Sequence, residues 1–229
     1  MSYLLQIETA TTSCSVALSQ NGNVLAFKEI NARNIHAEVI TVYIQGLITE
    51  AGLNYADIDA VAVSCGPGSY TGLRIGVSTA KGLCFALNKP LISVDTLAAM
   101  ASGIAKKRNI SPGTLLCPMI DARRMEVFTA VFDTAGDIIK PTAAEIIDEN
   151  SFADLLSKNA ILFFGDGAEK CKVALRHNQN ACFQEDFINS AVDMTNISTD
   201  KFNNAEFVDV AYFEPFYLKD FIAGKKAGS

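Results

Sequence analysis

The sequence predicts an α/β protein made of two lobes that duplicate one unit. Two apolar runs, YLLQIE at 3–8 and LLCPMID at 115–121, end in an acid and lead into a β-hairpin pattern. Two further apolar runs, AVAVSCGPG at 60–68 and ILFFGDG at 161–167, end in glycine and are followed by helical stretches. Between the halves, NISPGT at 109–114 breaks the apolar pattern, which sets the predicted boundary between lobes 1–108 and 109–229.

The elements follow in order. After the first strand, CSVALS alternates, Asn21-Gly22 is a strong two-residue hairpin signal, and VLAFKEI completes a meander. Residues 36–51 place Val39, Ile40, Tyr43, Ile44, Leu47 and Ile48 on one helical stripe, with Gly52 where a C-cap belongs. The run 60–65 has almost no polar position, as a central parallel strand requires. A second helix is expected over 72–87, stopped by Asn88 and Pro90, then a short strand LISV. Asp95 or Thr96 can cap a helix running to about residue 105. The second half repeats the opening: fourteen positions separate Glu8 from Gly22, and fifteen separate Asp121 from Gly136. Such duplication resembles the RNase H-like actin, Hsp70 and sugar-kinase (ASKHA) architecture. Residues 178–206 show no strongly periodic helix, so the second lobe reads as eroded.

Composition narrows the function classes. Hydrophobic residues are 49% and charged residues 19% of 229, with no low-complexity tract. Apolar runs break before the roughly 20 residues a membrane helix needs, and MSYLLQIETATTSCS lacks a basic leader region. A cytoplasmic protein with no membrane partner is expected. The net charge of −6 argues against a stand-alone nucleic-acid binder, so if RNA is involved another chain is expected to supply most of the phosphate contacts. The basic clusters Lys106-Lys107-Arg108, Arg123-Arg124 and Lys225-Lys226 read as solvated surface. Cys14, Cys65, Cys84 and Cys117 sit in apolar patterns and read as buried reduced thiols; no disulfide is expected between Cys171 and Cys182. His36 and His177 have no ligand-spaced neighbours, so no metal site is expected.

The stretch GPGSYTGLRIG at 66–76 poses the main functional question. It lies between a strand and a helix, where backbone N–H groups favour anions. Its spacing is neither G-x-G-x-x-G nor a Walker A loop, since Leu73 and Arg74 follow Gly72. Gly66 and Gly68 are open to two readings, a tight turn or ligand approach. Gly72, Gly76, Ala80 and Cys84 recur every four residues and form a bare helical seam, which favours close packing. Glu8, Thr9 and Asp121 stand where an ATPase of this architecture would hold Mg²⁺ and phosphate, though turn and capping chemistry explains them too.

Three stretches together, LLQIETATTSCSVALSQNG, GPGSYTGLRIGVSTAKGL and MIDARRMEVFTAVF, resemble the TsaB (YeaZ) family over residues 4–132. That resemblance implies a non-catalytic subunit of the machinery that makes threonylcarbamoyladenosine in tRNA. It implies binding to a TsaD-like catalytic paralogue, access to a TsaE-like ATPase through the complex, and a homodimer when alone. ATP or ADP and metal are then expected on the partner subunits and none on this chain. In SVDTLAAMA, Thr96 and Met100 fall where TsaD carries its two metal-binding histidines. The family associates through helices of the first lobe, which implies a surface carrying His36, Val39, Ile40, Tyr43, Leu47, Gly72, Gly76 and Ala80. Two alternatives remain at this level: an ATP-dependent kinase or ATPase of the same fold, and a peptidase, for which no Ser/His/Asp, Cys/His or H-E-x-x-H arrangement is found.

Overall fold

In the computed structural model, which describes residues 1–32 and 35–219, the strands sort into two five-stranded sheets. The first half runs β1 (Tyr3–Glu8), β2 (Ser13–Gln20), β3 (Asn23–Asn31), α1 (His36–Glu50), β4 (Ala60–Gly66), α2 (Tyr70–Leu87), β5 (Leu91–Asp95) and α3 (Thr96–Lys107). The second runs β6 (Leu115–Asp121), β7 (Glu126–Phe132), β8 (Ile138–Ile146), α4 (Ala153–Leu156), β9 (Ile161–Phe164), α5 (Ala168–Leu175), β10 (Ala181–Gln184) and α6 (Thr195–Asn203). The sheet orders are β3-β2-β1-β4-β5 and β10-β9-β6-β7-β8, one the counterpart of the other strand for strand. The duplication read from the hairpin spacing is therefore a duplication of topology.

Local chemistry explains the elements. Asn21 and Gly22 both take positive φ (49° and 80°), the two-residue turn whose twist matches a hairpin. β4 is buried along its length and pairs in parallel with β1 on one side and β5 on the other. Ser69 caps α2 by accepting from Gly72 N, and Asn88 ends it in the left-handed conformation (φ 53°). Asp95 caps α3, accepting from Ala98 N at 2.8 Å. α1 and α2 cover one face of the first sheet, burying Ile40, Ile44, Leu47, Val77, Ala80 and Cys84 against Leu5, Ile7, Val61 and Val63.

The two lobes exchange helices. α3 leaves the first sheet and buries Leu97, Met100, Ala101 and Ile104 against Leu116, Ile120, Phe128 and Phe164 of the second. In return, a 3-10 turn at Ala191–Met194 and α6 pack Met194, Ile197 and Phe202 on Leu4, Ala60, Ala62 and Ile92. Residues 207–219 then form a strap along the first lobe. Val208 N bonds Leu91 O (2.9 Å), Lys81 Nζ reaches the Ala211 and Phe213 carbonyls (3.1 and 3.0 Å), and Phe216 N bonds Cys65 O (2.7 Å). Lys219 crosses to Glu126 of the second lobe. The assignment of 109–229 to one lobe is thus corrected: residues 191–216 return to the first, and Leu218 and Lys219 reach the second. The same holds for the missing helix in 178–206. α6, TNISTDKFN, escapes periodicity analysis because its buried positions include Thr195 and Ser198, whose hydroxyls bond inside the segment or to Gln6. It is held by tertiary packing rather than by an apolar stripe.

All six cysteines are free. Among the described residues, no helix is long and apolar enough to cross a membrane. Lys225-Lys226 lies outside the described residues.

Candidate functional site

The end of β1 is the most unusual chemical environment in the molecule. Glu8 is fully buried, and its Oε1 accepts from Ala10 N (2.6 Å) and Ser64 Oγ (2.9 Å). Its Oε2 has no hydrogen-bond partner, and neither do the buried Thr9 and Ser13 hydroxyls or the Asn189 carboxamide. Burial pushes the Glu8 carboxyl up to about 7; the hydrogen bonds from Ala10 and Ser64 and the nearby Asn189 amide oppose that rise, and the charge of Asp193 adds to it. Asp193 itself is raised by burial, with Lys107 Nζ at 2.7 Å as its counter-charge.

The glycine loop answers to this same corner. A Cβ at Gly68 would stand 2.5 Å from Ala10 O, and Cβ atoms at Gly72 and Gly76 would collide with Thr9 O and Thr9 Oγ1. Ser69 N also donates to Ala10 O at 2.7 Å. The bare seam thus admits the chain's own β1–β2 loop. Gly66 (φ 114°) is pressed by the strap, since a Cβ there would meet Phe216 O at 2.5 Å, and the Tyr217 ring lies tilted against Tyr70 with centroids 4.8 Å apart. The strap lies where a ligand would approach Gly66.

Asp121 is placed differently. It is exposed, its Oδ1 accepts from Arg123 N (2.8 Å), and Lys170 of α5 forms an ion pair with it. Asp166 Oδ1 accepts from Asp121 N at 2.9 Å. Thr96 Oγ1 accepts from Gly66 N at 3.1 Å, and Met100 is buried against the Gly165 turn. The cleft between the lobes has a cavity of about 30 Å³ beside Thr11–Ser13, Met100 and Asn189, room for water-sized occupants. A groove of about 470 Å³ opens beside it, lined among the described residues by Asp166, Glu169, Glu185 and Asp186 and by no lysine or arginine.

Six of the residues expected at an association surface are instead interior. Ile40, Leu47, Gly72, Gly76 and Ala80 pack inside the first lobe, and His36 is buried with Nε2 between Thr11 O (3.0 Å) and Ser13 O (3.2 Å). This corrects the interface assignment for those six. The reason is physical: an apolar stripe or small-residue seam marks the face that packs, and here the sheet and the β1–β2 loop occupy that face. Val39 and Tyr43 are half-buried at its margin. The outward faces of α1 and α2 carry Val42 (62% exposed) and Phe85 (85% exposed), with Gly82 opening onto space. Sequence reasoning missed these three. The signal was available in Phe85, a large apolar residue that falls off the four-residue seam.

Fold and site together define a two-lobed, duplicated RNase H-like protein of the ASKHA architecture. A family model described as TsaD, tRNA N6-adenosine threonylcarbamoyltransferase, matches residues 29–214. The chain is 33% identical to the tRNA threonylcarbamoyladenosine biosynthesis protein TsaB of Escherichia coli K12, across 97% of both chains. It is 40% identical to the tRNA N6-adenosine threonylcarbamoyltransferase of Bacillus subtilis over 42% of this chain and 32% of that one. The crystal structure of YeaZ from Pseudomonas aeruginosa superposes with a TM-score of 0.81 at 26% identity, covering 95% of this chain and all of that one. The chain belongs to the TsaB (YeaZ) family, a branch of the TsaD-related proteins.

Proposed function

We propose that this chain is an accessory subunit of tRNA threonylcarbamoyladenosine biosynthesis, binding a TsaD-like catalytic paralogue and performing no transfer alone. The observation that carries the reading is the near full-length likeness to the E. coli biosynthesis protein. Three features of the site support the non-catalytic part. Thr96 and Met100 are spent on packing and a backbone hydrogen bond, the cavity is about 30 Å³, and the adjoining groove is acidic. ATP or ADP and metal then belong to the partner subunits, including a TsaE-like ATPase reached through the complex. Contact with tRNA is made mainly by the partner.

The partner surface is the outward face of α1 and α2. Val39, Val42, Tyr43 and Phe85 supply apolar contact, and Gly82 lets a facing helix approach closely. Without the partner, the same face pairs with a second copy. The test is a reconstituted modification reaction with the TsaD-like protein, the activated threonylcarbamoyl donor and tRNA. Modified nucleoside should require both proteins. Product in a reaction that contains this chain as the sole protein would overturn the reading.

A further inference from the structure

The interlobe cleft narrows from an open acidic groove to a small polar end. Asp166, Glu169, Glu185 and Asp186 line the groove, and Phe183, Phe187 and Ile188 form its apolar wall. Lys172 pairs with Glu185 and lies 3.9 Å from Glu169, and Lys170 partly offsets Asp166, so among the described residues Asp186 is the groove carboxylate without an ion-pair partner. The cavity at the narrow end shares Asp166, Phe187 and Ile188 with the groove and adds Ser13 and Asn189.

Those last two residues point to a ligand. Ser13 is 2% exposed and Asn189 is 4% exposed, yet the Ser13 hydroxyl and both polar atoms of the Asn189 carboxamide lack partners. Buried polar groups are ordinarily paired, because desolvation without a hydrogen bond is costly. Asn189 stands beside Glu8, whose Oε2 is also unpaired. Its amide nitrogen can donate there, which leaves its carbonyl oxygen for the cavity.

We propose that this cleft binds a linear aliphatic amine, with the ammonium tip held by Ser13 Oγ, the Asn189 carbonyl and the Asp166 carboxylate. An ammonium carries three donors and no acceptor, and this end of the cleft offers three acceptors. The aromatic wall covers the methylene chain, and Asp186 at the mouth meets a second charge. A bare metal ion suits the place less well: among the described residues, no three His, Cys, Asp or Glu side chains form a group that could hold one. A free polyamine and the side chains of Lys225 and Lys226 offer the same chemistry, the latter pair lying outside the described residues.

The experiment is calorimetric titration of the full chain with putrescine and spermidine, together with amide chemical-shift mapping. Binding is expected, with the largest shifts at Ser13, Asp166 and Asn189. In Asp166→Asn/Asp186→Asn, affinity should fall at least tenfold, equivalent to about 1.4 kcal/mol. The Lys225→Ala/Lys226→Ala variant separates the sources. Tighter polyamine binding there identifies the chain's own tail as the competing occupant, and unchanged binding identifies the free amine as the ligand. No heat and no shifts with either amine, in both the parent and the lysine variant, would overturn the proposal. So would shifts scattered over the acidic surface, or displacement of the amine by Mg²⁺ at matched ionic strength. If the double asparagine variant does not fold, the shift map of the unsubstituted chain decides.

Discussion

The first hairpin of each lobe starts from an acid at the end of an equivalent strand, and the two acids lead opposite lives. Glu8 is followed by Thr-Ala-Thr-Thr-Ser, a small and uncharged turn that lets the glycine helix α2 and the returning 189–194 segment close over it. Asp121 is followed by Ala-Arg-Arg-Met-Glu, a turn whose Arg123 and Arg124 both take positive φ (73° and 50°) and face solvent. Lys170 on α5 answers Asp121, whereas among the described residues no lysine or arginine forms an ion pair with Glu8. Duplication set the topology of both sites. What covers each strand end set its chemistry. The covered end became a buried packing joint with its carboxyl raised to about 7, and the open end stayed a solvated ion pair.

The largest effect should come from breaking the closure of the first site. Gly76→Leu drives a side chain into Thr9. Overpacking of this kind costs about 1–3 kcal/mol or more, so a drop of several degrees in melting temperature is expected before any effect on association. A normally stable Gly76→Leu protein would show that the β1–β2 loop does not need the bare seam.

Glu8→Gln comes next and sharpens the contrast through pH. An unfolded Glu8 titrates near 4.5 and the folded one near 7. Below 4.5 both states hold the proton and the residue contributes no pH dependence. Between 4.5 and 7 the unfolded chain releases its proton first, so stability falls as pH rises; above 7 that loss is complete. The gap corresponds to about 3 kcal/mol. Glu8→Gln should therefore gain stability over the parent as pH rises from 5 to 8, measured by denaturant melts. An identical pH profile in both proteins would mean that Glu8 is charged in the fold. Asp121→Asn should do least. It removes an exposed ion pair, worth about 0–1 kcal/mol and weakened by salt, and a larger loss would assign the second hairpin a structural load like the first.

Much of this contrast was legible in the sequence. Asn21-Gly22, the buried run 60–65, the caps at Asp95 and Asn88 and the repeated hairpin spacing are local signals, and each fixes a local conformation. The glycine seam was legible as a packing feature. Its partner was not, because spacing along a helix does not say which neighbour fills a bare face. Here it is Thr9, far away in sequence. The burial of Glu8 was hidden for the same reason: it depends on Asn189 and Asp193, which arrive from the other end of the chain by the helix exchange between lobes. α6 was missed because its fully buried positions are the hydroxyl residues Thr195 and Ser198, and its apolar contacts, Ile197 and Phe202, are too few to repeat as a helical stripe.

The central claim is that the inward face of α2 serves the fold and its outward face serves a partner. Titration of the TsaD-like protein against Phe85→Asp tests it most directly. Phe85 is 85% exposed, so the variant should melt like the parent. Its affinity for the partner should fall at least tenfold, about 1.4 kcal/mol, and the isolated chain should shift towards monomer. Undiminished affinity in a normally folded Phe85→Asp protein would contradict the claim and place the partner surface elsewhere.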